Sequence, residues 1–243
     1  MHKAFTLATV AVTLAWGTAT QAGPILDLGI AAPTSGTISY AGGTTSLSGT
    51  AITVRDVVGL GTAANAGVSR DLVDGQLDFH TGANVGFTVT TGSTGIYDFA
   101  GGGTLTLIGG LDLSDVPDGD LTDAEDLLAG SILLSGTFDT ASVIALPNGD
   151  FKVVVSQFTT TLASQLAAFY GLPAGAGILY TGNLNLSFLA SGGGGAAFSS
   201  TTVLSGDITL QPVPEPSSLM LAGVGVVIAL AYGWRWRRRR PAA

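Results

Sequence analysis

Residues 142–158 read SVIALPNGDFKVVVSQF, and the fold class turns on the middle of this stretch. Asn148-Gly149 stands between two apolar, β-branched runs. An Asn-Gly step in that setting is the strongest short-range signal for a β-hairpin. Working outward, further strand-like runs recur with turn residues between them. Upstream lie GTISY, TSLSGTAITV, GQLDFHTG, VGFTVTT, GIYDFA, GTLTLIGG and SILLSGTFD; downstream lie GNLNLSFLASG and TTVLSGDITL. Leu184-Asn185-Leu186-Ser187-Phe188 and Thr104-Leu105-Thr106-Leu107 alternate apolar and polar residues, the period of a half-buried strand. About ten short strands of this kind predict an all-β fold, an antiparallel β-sandwich or jelly-roll-like domain.

One or two short helices are expected within the strand series. Thr122 and Glu125 have the spacing of a capping box, with Gly130 as the stop, which predicts a helix over 123–129. Residues 161–170 place Leu162, Leu166 and Phe169 on one face, and Gly171 and Pro173 end the run. Neither helix alternates regularly with strands, so a βαβ architecture is not expected. Leu-Ser-Gly recurs at Leu47, Leu134 and Leu204, too irregularly for a solenoid. Gly192, Gly193, Gly194 and Gly195 read as a hairpin loop, since no helix or lysine follows to make a phosphate cradle.

Composition agrees. The 243-residue chain holds 36 glycines and only 11% charged residues, against about 25% in an ordinary globular domain. Nine basic residues are split between the ends and the body. Arg55, Arg70 and Lys152 alone stand between Gly23 and Pro216, against all 17 acids, giving the body a formal charge of −14. Such a surface repels a phosphate backbone, which argues against nucleic acid as a partner. Cysteine is absent, which excludes disulfides, thiol nucleophiles and cysteine-ligated metals.

Both ends read as processing segments. MHKAFTLATVAVTLAWGTATQAGP has a basic start at Lys3, an apolar stretch over 4–16, and small residues Thr20 and Ala22 before a cut between Ala22 and Gly23. The other end reads VPEPSSLMLAGVGVVIALAYGWRWRRRR. Residues 219–234 carry no charge and would make a helix roughly 24 Å long at about 1.5 Å per residue. Ser217 and Ser218 extend it towards the roughly 30 Å of a bilayer core. Tyr232, Trp234 and Trp236 suit an interfacial belt, and Arg235, Arg237, Arg238, Arg239 and Arg240 mark the cytoplasmic side. Pro214 and Pro216 force the residues before them towards extended geometry. The expected organisation is a signal peptide (1–22), a β-rich exported domain (23–210), a linker with Pro-Glu-Pro (211–216), a single transmembrane helix (217–234) and a basic tail (235–243).

Pro214-Glu215-Pro216, the apolar run and the arginines together resemble the PEP-CTERM sorting signal of exported bacterial proteins. The resemblance covers about thirty residues and implies Val213, Pro214, Glu215 and Pro216 as the sorting motif. It implies an exosortase as partner, a membrane-embedded sorting enzyme that removes the helix. It implies a transient stay in the inner membrane, facing the periplasm, followed by release to the surface or beyond. An association with exopolysaccharide and biofilm is implied in the same way.

The body offers little chemistry. His80 is its only histidine, with Asp78 two residues away, and no G-x-S-x-G elbow accompanies it. No metal site or cofactor is expected as the first reading. DLSDVPDGDLTDAED (residues 112–126) is the best alternative, an acidic loop in which Asp118 and Glu125 fall on positions 5 and 12 of a calcium loop and Asp115, Asp120 and Asp123 offer another oxygen cage. Aligned on Gly119, however, positions 1 and 3 of a calcium loop fall on Ser114 and Val116. Paired carboxylates for polysaccharide hydrolysis are a second alternative that singles out no pair. All three tryptophans, Trp16, Trp234 and Trp236, lie in the end segments, leaving Tyr40, Tyr97, Tyr170, Tyr180 and the phenylalanines, most of which are expected in the core. The leading expectation is an exported, non-catalytic surface or matrix protein. Its alternatives are a secreted polysaccharide-active hydrolase and a calcium-dependent binding module.

Overall fold

The hairpin at Asn148-Gly149 is present. β8 (Leu127–Ala145) and β9 (Asp150–Leu162) pair antiparallel from Leu134↔Leu162 to Ala145↔Phe151. Leu146 N–H donates to the Asp150 carbonyl (2.8 Å) and Gly149 N–H to that of Leu146 (3.2 Å), while Gly149 takes φ +86°. This is a three-residue connection ending in a left-handed residue, a position glycine fills without steric cost.

The computed structural model describes residues 25–213 apart from 33, 91–93 and 176–177. The other strands are β1 (Leu26–Ala31), β2 (Thr37–Tyr40), β3 (Ser46–Thr53), β4 (Asp56–Gly59), β5 (Ser69–Val89), β6 (Gly95–Phe99), β7 (Gly102–Leu111), β10 (Tyr180–Gly192) and β11 (Phe198–Pro212). β1 and β2 are two pieces of one path, because both lie against β11 on one side and against β4 and β3 on the other. β3 with β4, and β6 with β7, form paths in the same way. Every path is antiparallel to the next in chain order, and the last, β11, pairs back onto the first from Leu26↔Leu210 to Phe198↔Tyr40.

The result is a closed up-and-down barrel rather than a sandwich or jelly roll. The all-β expectation holds, but a jelly roll needs Greek-key crossings, and here only the closing ladder joins strands distant in sequence. Among the described residues closure leaves no long exposed edge for another chain to join.

The strands are fewer and longer than their sequence patterns imply. GQLDFHTG and the first five residues of VGFTVTT both lie in β5, which runs 21 residues. SILLSGTFD and SVIAL are both in β8, of 19 residues. A register shift between Phe138 and Thr140 moves the inward phase of β8 from Leu134 and Phe138 to Ala141, Val143 and Ala145. A bulge of this kind bends a long strand around a barrel without ending it.

Inward residues fill the interior. Leu26, Leu28, Ile38, Leu47, Leu77, Leu105, Leu107, Leu184, Leu186 and Ile208 are fully buried. Two glycines face aromatic rings directly across a ladder: Gly49 opposite Phe79, and Gly182 opposite Phe158. A Cβ on either glycine would stand 2.1 Å from the ring. Phe138 links the two rings, at 5.9 Å from Phe79 and 6.0 Å from Phe158, both edge-to-face. The rings occupy the room that the missing side chains leave.

The short turns at 41–45, 146–149 and 193–197 lie at one end of the barrel. There Tyr40, Tyr97, Phe99, Phe151 and Phe198 form a cluster with centroids about 5 Å apart, capped by the four-glycine run. Gly195 N–H donates to the Tyr97 hydroxyl (3.0 Å), and a Cβ on Gly195 would meet the Phe87 ring at 2.9 Å. The glycines let the backbone lie close over these rings. The long connections, Ile25 and Val213 are all at the opposite end.

One of the two expected helices forms. α1 (Ser164–Phe169) is shorter than the expected 161–170, because β9 continues to Leu162. The helix over 123–129 does not form: Leu127 pairs with Leu111 as β8 begins. Burying Leu127 and extending the β7–β8 ladder outweighs a capping box that would serve only two turns. The strand expected to end at Leu210 continues through Gln211 and Pro212, two residues into the expected linker, and the compact unit ends at Val213.

Candidate functional site

The end from which the chain leaves is built around α1. Gln165 and Ala168 face outward, while Leu166, Ala167 and the following Tyr170 are buried against the barrel mouth. The Tyr170 hydroxyl lies 3.1 Å from the Val57 carbonyl and 3.0 Å from that of Val68. Its ring fills the place that a side chain at Gly59 would need, 2.7 Å from the ideal Cβ. Asn65 donates to the Phe169 carbonyl (2.7 Å), tying the β4–β5 connection to the helix. Arg70 reaches both the Phe169 ring (4.9 Å) and the Ser114 carbonyl (3.0 Å).

Burial pushes the Tyr170 phenol up to about 12; nearby Arg70 opposes the rise and Asp56 adds to it. Burial also raises Tyr40, Tyr97 and Tyr180. A tyrosine resisting ionisation in the fold but not when unfolded makes the unfolded chain release protons first. Stability is therefore whole below about pH 10 and falls as pH rises from about 10 towards 12. Chemical denaturation at pH 8 and pH 11 should show a lower midpoint at pH 11. Tyr170→Phe should shrink that difference, and an unchanged difference would remove Tyr170 as its source.

The acidic loop is organised by two of its own carboxylates. Asp112 accepts from the amides of Ser114 (3.1 Å), Asp118 and Gly119 (both 2.9 Å), and from the Ser114 hydroxyl. These bonds hold its carboxyl below the usual carboxylate range. Asp126 accepts from the amides of Leu113 (2.7 Å) and Asp123 (3.3 Å). Asp118 and Asp120 each bind the amide two residues on. Among the described residues no group of three or more acidic or histidine side chains is placed to hold a metal. Of the carboxylates that the sequence offered to calcium, Asp118 and Asp120 bind amides of the loop backbone.

His80 and Asp78 share the outer face of β5 and bond different partners. His80 Nδ1 meets the Thr104 hydroxyl (3.1 Å), while Asp78 accepts from Ala51 N–H (2.7 Å). Ala51 has φ +51° at a bulge between Gly49 and Ile52, and Asp78 holds that bulge. An open groove of about 680 Å³ crosses the outer wall where β1–β2, β3–β4 and β5 all bend together, lined by Arg55, Asp56, Asp71, Asp74 and Gln76. Asp56 and Asp71 are opposite partners there. The one carboxyl of this region raised by burial, Asp27, with Asp207 and Asp56 adding to it, is not in the groove lining.

At the exit, Ile25 N–H donates to the Leu210 carbonyl (2.7 Å) and Val213 N–H to that of Leu179 (3.2 Å). Val213 is the one residue of the expected sorting motif within the described part, and it is 36% exposed at the rim. Pro214, Glu215, Pro216, Ala22, Gly23, Arg235, Arg237, Arg238, Arg239 and Arg240 lie outside the described residues, as do the expected signal peptide and transmembrane helix. No helix among the described residues is long and apolar enough to cross a membrane. Sequence reasoning did not anticipate the holding contacts at Leu179 and Tyr180, because both belong to a ladder whose partner is distant along the chain.

No curated protein and no solved structure matches the chain. Residues 212–239 match the family model of the PEP-CTERM protein-sorting motif, beginning at the last residue of the barrel's final strand. The motif implies export, passage through a membrane, and an exosortase as the kind of partner that processes it. The chain is thus a β-barrel protein whose C-terminal segment carries a PEP-CTERM protein-sorting motif.

Proposed function

We propose that this is a non-catalytic surface or extracellular-matrix protein, a rigid barrel delivered by its sorting motif and associated with exopolysaccharide or biofilm. The observation that carries this reading is the match over 212–239 directly behind a closed barrel. Export is directed by residues 1–22. The helix over 217–234, with the arginines behind it on the cytoplasmic side, holds the barrel at the periplasmic face of the inner membrane. Removal of that helix by the exosortase releases the barrel outward.

The outer wall suits a hydrated, sugar-rich surrounding. Ser135, Thr137, Thr159, Thr161, Asn183 and Thr209 face outward on β8 to β11, an array of uncharged hydroxyls and amides. Such groups exchange hydrogen bonds with water and sugar hydroxyls without a fixed-charge requirement. The test is intact mass of the protein from membrane and extracellular-matrix fractions. The membrane form should lack residues 1–22 and keep the tail, and the matrix form should lack both ends. Full-length chain in the matrix fraction, or no matrix form at all, would overturn the proposal.

A further inference from the structure

The sorting motif and the barrel wall overlap, and the overlap has a physical consequence. A peptidase reads an extended substrate through its backbone N–H and C=O groups, so residues flanking the scissile bond must be free of other ladders. Residues 211–213 are not free. Gln211 pairs with Thr181 and Pro212 with Tyr180, and Val213 N–H donates to the Leu179 carbonyl at 3.2 Å.

The hold is one-sided. On the β1 side the ladder stops at Leu26↔Leu210, whereas on the β10 side it runs on to Pro212. The bond at Val213 makes Val213–Leu179 a hydrogen-bonded pair, so by alternation Tyr180–Pro212 is a non-hydrogen-bonded one. Pro212 therefore sits where its missing N–H takes no bond away from β10. Tyr180 is itself anchored, buried to 1% exposure with its hydroxyl bonded to the Pro173 carbonyl.

We infer that the β10 edge at Leu179–Thr181 competes with the exosortase for residues 211–213, and that fraying of these residues from the barrel precedes processing. Leu179, Tyr180 and Thr181 thereby act as positioning residues for the sorting reaction. The fraying is local, because residues up to Leu210 stay laddered on both sides. This inference rests on the reading of the tail as an exosortase substrate.

The test uses the full chain expressed with its exosortase. Thr181→Cys with Gln211→Cys joins the two strands at an opposed pair, where Cα atoms stand about 5.5 Å apart, within disulfide range. The chain has no native cysteine, so the bond is unambiguous. Pulse–chase should show the oxidised double variant exported but not released, with release restored by dithiothreitol and each single variant released normally. A Gly-Ser-Gly-Ser insertion between Val213 and Pro214 should restore release of the oxidised form, which a merely misfolded barrel would not do. Release of the oxidised, uninserted form at the parental rate overturns the inference. Replacement of Pro214-Glu215-Pro216 by alanines runs alongside: parental release there overturns the sorting reading itself, whereas a block there with free release of the disulfide form overturns only the competition.

Discussion

Replacing Pro214, Glu215 and Pro216 together with alanine should leave export intact and nearly abolish the released form, with the chain accumulating in the membrane fraction at full tail length. Each proline drives the preceding residue towards extended backbone, and Pro216 is suited to the first turn of a following helix. Alanine removes both constraints and, as the best helix former, favours extension of the proposed transmembrane helix back through 214–216. The one carboxylate of the segment goes as well. The apolar run and the arginines are untouched, so membrane retention persists while the recognisable extended segment is lost. A C-terminal epitope read by immunoblot of membrane and medium measures the outcome. Release at the parental level would refute the role of these three residues.

The second large effect is on stability. Phe158→Ala should cost about 3–5 kcal/mol, the usual range for removing a buried aromatic ring. At roughly 2–4 °C per kcal/mol for a domain of this size, the melting midpoint should fall by about 10 °C. The loss should exceed that of an ordinary core position because Phe158 covers Gly182 across the ladder and leans on Phe138. Gly182→Val tests the same contact from the other side. Its Cβ would stand 2.1 Å from the Phe158 ring and 2.9 Å from Leu210, an overpacking expected to cost about 1–3 kcal/mol. In the double variant the valine enters the space that the ring vacates. The combined loss should fall below the sum of the two single losses. Thermal denaturation of the four proteins completes the cycle, and strict additivity would show that the ring does not fill the glycine's space.

These two effects divide between what is written locally and what is assembled. The Pro-Glu-Pro segment, the apolar run and the arginines are contiguous, so their order along the chain is itself the signal. The family match at 212–239 repeats that order. The Asn148-Gly149 hairpin was legible for a similar reason, since a turn depends on two or three neighbouring dihedrals. Most of the body's aromatic rings were expected in the core, and Tyr40, Tyr97, Tyr170 and Tyr180 are all buried there.

The acidic loop was legible only as acidic. Its composition allowed an ion cage, but which way Asp112 and Asp126 turn depends on where Ser114, Leu113 and Gly119 present their amides. The helix over 123–129 failed because a capping box competes with a strand whose partner, Leu111, lies 16 residues upstream. Glycines that read as strand ends sit inside strands. Gly82, in the middle of β5, faces the Ala100 and Gly101 carbonyls so closely that a Cβ would stand 2.5 Å or less from them.

By itself the sequence determined the strand content, one tight hairpin, the acidic body and the address at its end, because each is a property of neighbours in the chain. Tertiary structure alone decided that the strands close into a ring, that α1 and Tyr170 stop one end of it, and that the sorting segment starts while still laddered to β10. Each of these rests on pairings between distant segments: β1 with β11, Tyr170 with Val57, Val213 with Leu179. Local patterns allowed a sandwich and a barrel alike. Closure tips the choice by satisfying the backbone groups of two strands that would otherwise be edges.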